Sequence, residues 1–141
     1  MTTLPRKSAV SLLSLALAVR KHLEKIANAD RLSFPSFEAL AALADSPFPI
    51  SPSALAQRCG YTAAFVSNWK AGWVIGKLIS ETPSERDRRS CLLLINVDGQ
   101  RVVASVRARI RQFEGETLPV LMQASGVDWS GDLEEEGLPE A

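Results

Sequence analysis

A short polar loop after the middle of the chain holds the densest group of side chains that could do chemistry. Residues 84 to 89 read Ser-Glu-Arg-Asp-Arg-Arg, which places Arg86, Arg88 and Arg89 beside the carboxylate of Asp87. Guanidinium groups hold phosphates through paired hydrogen bonds, and they suit a narrow, strongly negative minor groove of DNA. The adjacent aspartate can orient one of these arginines. The loop therefore indicates a surface that binds an anionic partner.

The segment from Leu55 to Trp69 satisfies the packing rules of a helix-turn-helix. Two helices that cross steeply need a small residue where their backbones approach, a residue free to adopt positive φ at the turn, and buried apolar groups on the second helix. Ala56, Gly60, Val66 and Trp69 fill those positions in that order. On packing alone, an ordinary helical hairpin explains the segment about as well.

The second helix of this pair would present a row of candidate base-reading side chains. Asn68 could pair with adenine, and Lys70 with guanine or phosphate. Phe65, Trp69 and Trp73 are predicted to lie on the apolar inner face, with the two tryptophans in the core rather than stacked on bases. The predicted readers are the residues of the opposite face, Thr62, Ala63, Ser67, Asn68, Lys70 and Ala71.

Hydrophobic periodicity and turn residues predict the elements that position these groups. Apolar residues at spacings of three and four predict a first helix over residues 7 to 28. Ser-Pro type starts predict a second helix from Ser33 to about Ala44 and a third from Ser51 to Cys59, and Tyr61-Thr62 begins a fourth. Two short strand-like runs, residues 78 to 81 and 91 to 96, predict a hairpin. A long helix over residues 98 to 113 and a short one over 118 to 124 follow, with Val102, Val103, Val106 and Ile110 inward.

The first half of the first helix, residues 9 to 19, is apolar on nearly all sides. Such a helix must be covered all round by its own domain or by another subunit, and we expect a dimer interface here. The predicted stripe on this helix consists of Leu12, Ala16, Val19, Leu23 and Ile26, widened by Leu13 and Leu17.

The charge of the chain is divided unequally. Lys+Arg and Asp+Glu both count 16 in 141 residues, yet residues 125 to 141 carry six acidic groups and no basic one. The length fits one packed domain, and we predict that it occupies residues 1 to 124, followed by an acidic, mobile tail over 125 to 141 that serves as a solubility segment. Competition of this tail with DNA for the basic surface is the other interpretation.

Several function classes find no support in the residues. Two cysteines in a chain of this size exclude a disulfide framework and favour a reducing compartment. The N-terminal apolar run is too short to span a bilayer and is followed by charged residues where a secretory signal needs its cleavage region, so a cytoplasmic protein without membrane contact is expected. One histidine, no metal-ligand spacing and no Gly-rich phosphate loop predict no enzyme, no metal and no cofactor. His22 is expected at a surface or interface rather than in a ligand pocket.

Helix-turn-helix plus basic hairpin is the order of a winged helix, and the stretch from Leu32 to Gly99 resembles the MarR-type winged-helix regulators. The most specific match is Asp87-Arg88-Arg89 in the wing, followed by Leu93-x-Ile95-Asn96-x-x-Gly99. Asn96 stands where that family usually has Thr, and it can still cap the next helix. Gly76 comes one place earlier than the family's glycine. Weaker matches are Leu32-Ser33, residues 50 to 56, Val66-Ser67 and Leu78-Ile79.

The resemblance implies a mainly helical fold with a small β-hairpin wing, with the helix-turn-helix at about 51 to 75 and the wing at about 78 to 96. It implies a homodimer joined by helices at about 7 to 29 and 98 to 124, which reads an inverted repeat in double-stranded DNA as a transcriptional regulator, expected to be a repressor. Members of that family often release DNA when a small phenolic ligand or an oxidant acts near the dimer interface, and the sequence identifies neither trigger. The DNA contacts it implies are Ser51, Ser53, the six helix residues given above, Arg86, Arg88 and Arg89.

The main alternative is a winged helix that binds protein, as an adaptor or antagonist of another regulator. The apolar fourth helix, above all its end at residues 73 to 77, and the low net charge of the chain support it, and the wing arginines argue against it.

Overall fold

The computed structural model describes residues 5 to 86 and 91 to 126, without the side chains of residues 5 to 8 and Ile75. Within these ranges the chain forms two compact units, a central unit, Glu24–Arg109, and a terminal unit built from the residues before and after it. The predicted mainly helical class with one β-hairpin is confirmed. The elements in chain order are α1 (Pro5–Asn28), α2 (Phe34–Ala44), α3 (Pro52–Cys59), α4 (Ala63–Ile75), β1 (Ile79–Pro83), β2 (Cys91–Ile95), α5 (Val97–Gln112), a π-helical turn (Phe113–Thr117) and α6 (Leu118–Ser125).

Local capping sets the starts of α2, α3 and α4. Ser33 Oγ accepts a hydrogen bond from the Ser36 amide at 3.1 Å, and Ser51 Oγ accepts one from the Ala54 amide at 3.1 Å. Thr62 Oγ1 takes the same role for α4 and accepts from the Phe65 amide at 3.3 Å. Each hydroxyl satisfies a backbone donor that the first turn leaves unpaired, so these three helices begin where the sequence predicts.

The core of the central unit joins the helices to the hairpin. Strands β1 and β2 are antiparallel, with Ile79 opposite Ile95 and Pro83 opposite Cys91. Ile50, in the segment before α3, pairs with Leu93 of β2 through two backbone hydrogen bonds of 3.2 and 2.7 Å. The fully buried side chains here include Leu40, Leu43, Leu55, Val66, Trp73, Leu93, Val103 and Val106.

Strand β2 is apolar on both faces, a pattern that predicts a cover over Leu92 or Leu94. Leu92 is half-buried, whereas Leu94 is 44% exposed and has no cover within the described chain. The inward side chain of β2 is Leu93, whose backbone also holds Ile50. The segment between α2 and α3 therefore pairs with β2 through a short β-bridge beside the hairpin.

The junction between hairpin and α5 explains the Asn-x-x-Gly part of the sequence motif. Asn96 Oδ1 accepts from the Gly99 amide at 3.0 Å, which caps α5 as predicted, and its Nδ2 donates to the Lys77 carbonyl at 2.7 Å. A Cβ on Gly99 would collide with the Leu78 carbonyl oxygen and lie 2.6 Å from Ile95 Cγ1. Only glycine lets α5 begin this close to the hairpin.

Charged residues of α5 bind aspartates at the ends of α1 and α2. The two terminal guanidinium nitrogens of Arg107, Nη1 and Nη2, donate to the Asp45 carboxylate at 3.2 and 2.8 Å. Arg109 forms an ion pair with Asp30 in the α1–α2 turn. These two arginines therefore hold elements of the central unit together.

The terminal unit has few buried side chains. Leu15 of α1 and Phe113 are buried, and the His22 ring lies 5.2 Å from the Phe113 ring while its Nδ1 is 2.9 Å from the Ala18 carbonyl oxygen. Of the predicted stripe on α1, Val19, Leu23 and Ile26 are half-buried and Leu12 is 37% exposed, while Leu15, outside the predicted stripe, is buried. Large apolar side chains left exposed are Val10, Leu12, Leu13, Leu17 and Val120.

No helix among the described residues is long and apolar enough to cross a membrane. Apart from Ser125 and Gly126, the predicted acidic tail lies outside the described residues, and its boundary at residue 124 stays a prediction.

Candidate nucleic-acid interface

The α3–α4 pair has the geometry of a helix-turn-helix. Ala56 is buried where the helices approach, and its carbonyl oxygen accepts a hydrogen bond from the Tyr61 amide at 3.0 Å. Gly60 ends α3 with φ 75°, a left-handed conformation that a side chain would disfavour. Val66 is fully buried on α4, and Trp69 is half-buried. The four residues predicted to serve packing thus lie at the contact, the turn and the inner edge of the second helix.

The outward face of α4 presents most of the predicted readers. Ala63, Ser67 and Ala71 lie on it, and Asn68, which is also exposed, lies at its edge and lines a cavity next to Trp69. Thr62 is exposed as well, but its hydroxyl is used in capping α4. The helix therefore offers one amide, one hydroxyl outside the cap and several methyl groups to a partner.

Lys70 differs from the other predicted readers because it is half-buried and paired. Its Nζ lies 2.9 Å from Glu81 Oε1 on β1 and donates to Cys91 Sγ on β2 at 3.8 Å. The hydrogen bond to Glu81 is the largest influence on the Lys70 ammonium group and raises its pKa; burial lowers the pKa, and the charges of Cys91 and Glu81 add smaller increases, so that the pKa is raised overall. No sequence signal indicates this pairing, since it depends on which strand residue faces α4.

Phe65 also departs from its predicted position. The sequence predicts it on the apolar inner face of the fourth helix, and the structure leaves it 52% exposed. Its ring stacks on Trp69 with centroids 6.0 Å apart, and Trp69 in turn meets the edge of Tyr61 at 5.1 Å. Val66 and Trp73 occupy the buried inner face of α4. Phe65 therefore lies between the inner and the exposed faces, where one side of its ring packs on Trp69.

Two predicted DNA-contacting serines lie at the start of α3 and differ in whether their hydroxyl group is already used within the protein. Ser51 is the N-cap of α3, and its hydroxyl accepts the Ala54 amide. Ser53, in the first turn, is exposed. Ser53 is accordingly the freer of the two hydroxyls for a phosphate.

Strands β1 and β2 form the hairpin predicted as a wing, and the structure describes the segment between them as far as Arg86. Arg86 is exposed at the end of the described part, next to the exposed carboxylate of Glu85. Asp87, Arg88 and Arg89 lie outside the described residues. Their predicted roles in groove binding and in orienting the arginines remain predictions.

A cavity of about 540 Å³ lies within the central unit, and no sequence pattern predicts it. Trp69, Trp73 and Ser36 are among its lining residues, and Trp73 Nε1 donates to Ser36 Oγ at 2.9 Å. His22 does not line it, since its ring stacks in the terminal unit. The spacing of Trp69 and Trp73 on one helix face is the only sequence signal for an aromatic wall.

Cys59 lacks the surroundings of a reactive thiol. Burial raises the pKa of the Cys59 thiol, as does the charge of Glu38, while Arg58 lowers it less. A raised pKa leaves less of the nucleophilic thiolate at neutral pH. Cys91 is half-buried beside Lys70. In the described part of the chain, no group of three or more His, Cys, Asp or Glu residues could hold a metal ion.

Known structures share this arrangement over most of the chain. A MarR transcription factor from Planctomyces limnophilus superposes with a TM-score of 0.73 at 17% identity, covering 88% of this chain and 90% of that one. The chain has the MarR-type winged-helix fold. The resemblance seen in the sequence is thereby confirmed at the level of the fold.

Two further structures with the MarR-type fold give similar coverage. Wild-type MarR from Escherichia coli in its apo form has a TM-score of 0.66 at 14% identity, over 88% of this chain and 87% of that one. A point mutant of MepR from Staphylococcus aureus, solved bound to an oligodeoxyribonucleotide, has a TM-score of 0.65 at 16% identity, over 91% and 86%. No family model and no curated protein sequence matches the chain.

Proposed function

We propose that this protein is a homodimeric transcription regulator that binds double-stranded DNA, with α4 in the major groove and the wing arginines in the adjacent minor groove. The observation that carries the proposal is the α3–α4 helix-turn-helix followed at once by the β1–β2 hairpin, with Arg86 exposed at its described end. The major groove of a DNA duplex is wide enough to hold an α-helix, and arginine side chains suit the narrow, negative minor groove. The DNA-bound MepR mutant with this fold supports the same partner.

Exposed apolar side chains of the terminal unit support the proposal of a homodimer. Leu13 and Leu17 are 62% and 55% exposed on α1, and Val10 and Val120 are more than half exposed. Exposed apolar side chains of this size are stabilised when a second copy of the chain covers them and removes them from water. Two copies would then present two α4 helices to successive major grooves of an inverted repeat.

Selection of bound duplexes from a random DNA pool tests the proposal. Wild-type protein should enrich an inverted repeat, and Arg88→Glu should fail to enrich it. The matched control is Arg101→Glu, because Arg101 is exposed on α5 and takes the same charge reversal outside the helix-turn-helix and wing. Affinity for the selected site should fall steeply with salt, since phosphate contacts release counterions. Folded wild-type protein that enriches no sequence, even at low salt, would overturn the proposal.

A protein-binding winged helix is the second candidate. It is favoured by one observation, the half-exposed Phe65 on a helix whose single charged residue, Lys70, is already paired. Exposed aromatic side chains are enriched in protein interfaces. Charge reversal at Arg88 separates the two functions, because it should abolish DNA binding and leave an α4-mediated protein contact intact.

A further inference from the structure

The outward surface of α4 has an unusual composition for a helix that enters a major groove. Lys70 is the single charged residue in the sequence of α4, and it is bound to Glu81 of the wing. Asn68 and Ser67 are the polar side chains that remain on the exposed part of the helix. The other exposed residues of α4 with described side chains are Ala63, Ala64, Phe65, Ala71, Gly72 and Val74.

This composition limits which bases the helix can distinguish. Guanine is read by arginine or lysine through its O6 and N7, and cytosine is read by a carboxylate that accepts from N4. The exposed face of α4 offers neither group. Thymine is recognised by apolar contact with its C5 methyl group, and adenine by the amide of asparagine. The side chains present therefore fit A·T pairs, and they offer G·C pairs only the Ser67 hydroxyl, which does not distinguish between bases.

The apolar groups are arranged on one side of the helix with Asn68 among them. Ala64, Asn68 and Ala71 follow at spacings of four and three, so they form one stripe along the helix. Phe65 lies three residues before Asn68 and flanks that stripe. A methyl-rich surface with a central amide results.

The Phe65 ring is held in place before any partner binds. It stacks on Trp69 at an interplanar angle of 24°, and Trp69 contacts Tyr61 edge to face. The Tyr61 hydroxyl donates to Glu38 Oε1 on α2 at 3.1 Å, which ties this aromatic cluster to the body of the central unit. A side chain already ordered in the free protein loses little entropy on binding.

We infer that α4 recognises an A·T-rich half-site through thymine methyl groups, with Phe65 as a specificity-determining residue and Asn68 as the adenine reader. The inference rests on the proposed function, because it assumes that α4 enters the major groove. Its distinctive consequence is that discrimination at the contacted thymines depends on a single methyl carbon for each thymine, in addition to the charge contacts that any duplex provides.

Replacement of thymidine by deoxyuridine tests this directly. Deoxyuridine removes the C5 methyl and keeps the pairing and the O4 acceptor. The duplex is the site selected from the random pool, with each half-site thymine replaced singly and then all together, and binding is measured by fluorescence anisotropy. Each methyl in contact with α4 should account for about a fourfold loss of affinity, the value of one buried methylene-sized group.

Two variants locate the contact on the protein. Phe65→Ala should bind the selected site more weakly and should no longer distinguish thymidine from deoxyuridine at one or more positions of each half-site. The matched control is Phe48→Ala, since Phe48 is an exposed phenylalanine outside α4. That control should keep the full wild-type dependence on the methyl groups.

The outcomes separate this inference from the proposed function. Wild-type protein that enriches an inverted repeat but binds its deoxyuridine version equally well would overturn the thymine-methyl contact and leave DNA recognition standing. A selected half-site dominated by conserved G·C pairs would overturn it in the same way. Failure of folded wild-type protein to enrich any sequence would overturn the proposed function and this inference together, and would favour a protein partner for Phe65.

Discussion

The central and terminal units bury different shares of their apolar side chains, although each leaves some of them exposed. The central unit buries Leu40, Leu55 and Trp73 almost completely, whereas the terminal unit leaves Leu13 and Leu17 more than half exposed. Burial of apolar area is the main favourable term in folding, so the central unit holds a complete core within one chain. The terminal unit leaves apolar side chains exposed to solvent, and we propose that a second copy of the chain covers them. Under the proposed homodimer, the stability of the chain would reside mainly in the central unit and its association in the terminal unit.

The largest effect is expected from the exposed leucines of α1. Leu13→Asp combined with Leu17→Asp should weaken the homodimer by at least about 6 kcal/mol, or more than about ten-thousandfold, because a twofold interface loses four leucine side chains at about 1.5 kcal/mol each. Sedimentation equilibrium at micromolar concentration measures this. Leu94→Asp changes an exposed leucine of the central unit and should leave the dimer intact. A double variant that remains dimeric would contradict the division of roles.

Trp73→Ala should act on the central unit with the next largest effect. Trp73 is 2% exposed, and its indole donates to Ser36 Oγ, so truncation removes packing and leaves a buried hydroxyl without its donor. We expect a loss of about 3 to 5 kcal/mol in the free energy of unfolding, measured by urea denaturation. Val97→Ala, at an exposed position, should change it by less than about 0.5 kcal/mol. A loss under about 1 kcal/mol for Trp73→Ala would show that this core is not the source of stability.

The Lys70–Glu81 pair gives a smaller effect with a defined pH dependence. The pKa of Lys70 is raised above its ordinary 10.5 in the folded protein, so its contribution is fully present below pH 10.5 and is lost as the pH rises through the higher folded value. Lys70→Gln should therefore cost about 0.5 to 1 kcal/mol at pH 8, and less as the pH approaches about 12.

Urea denaturation of wild type and Lys70→Gln in parallel across this range isolates the pair from other alkaline titrations. A difference between the two proteins that does not shrink with rising pH would contradict the pairing. The dimer dissociation constant at pH 8 should be the same for both proteins, because Lys70 lies in the central unit.

The smallest effect concerns the turn between α4 and β1. Lys77 adopts φ 61°, a left-handed conformation that is unfavourable for a residue with a Cβ. Lys77→Gly should raise the free energy of unfolding by about 0.5 kcal/mol, since relief of this strain exceeds the added flexibility of the unfolded chain. Gly60→Ala, at φ 75°, is the converse change and should destabilise by about 1 kcal/mol in the same thermal or urea assay. A change in the free energy of unfolding that has the same sign for both variants would contradict the explanation from backbone conformation.

Much of the fold could be predicted because its signals are local. The hydroxyls of Ser33, Ser51 and Thr62 cap helices within three residues of themselves, and Gly60 ends α3 within its own turn. Such interactions need no distant partner, so residue type and spacing suffice to place them. The glycine expected at the end of the fourth helix is harder to interpret, because Gly76 has φ −78° while Lys77 takes the left-handed position next to it.

The candidate site could be predicted less completely, since its decisive contacts join residues far apart in the chain. The sequence predicts Lys70 as a base-contacting residue, yet it meets Glu81 because the register of β1 against β2 brings that strand residue to α4. Phe65 is predicted in the core, yet Val66 and Trp73 fill the inner face and leave it at the edge. Periodicity gives the phase of an amphipathic helix only when its two sides differ in polarity, and α1 and α4 are apolar on several sides.

By itself the sequence determined the order of the elements, the helix-turn-helix with its glycine turn, and the asparagine cap that begins α5, because each depends on neighbours within a few residues. The tertiary structure alone decided which charges remain available and which aromatic ring faces outward. It also decided why position 99 must be glycine, where the Leu78 carbonyl leaves no room for a Cβ. Those outcomes follow from close packing between distant segments, and a one-dimensional pattern does not specify that packing.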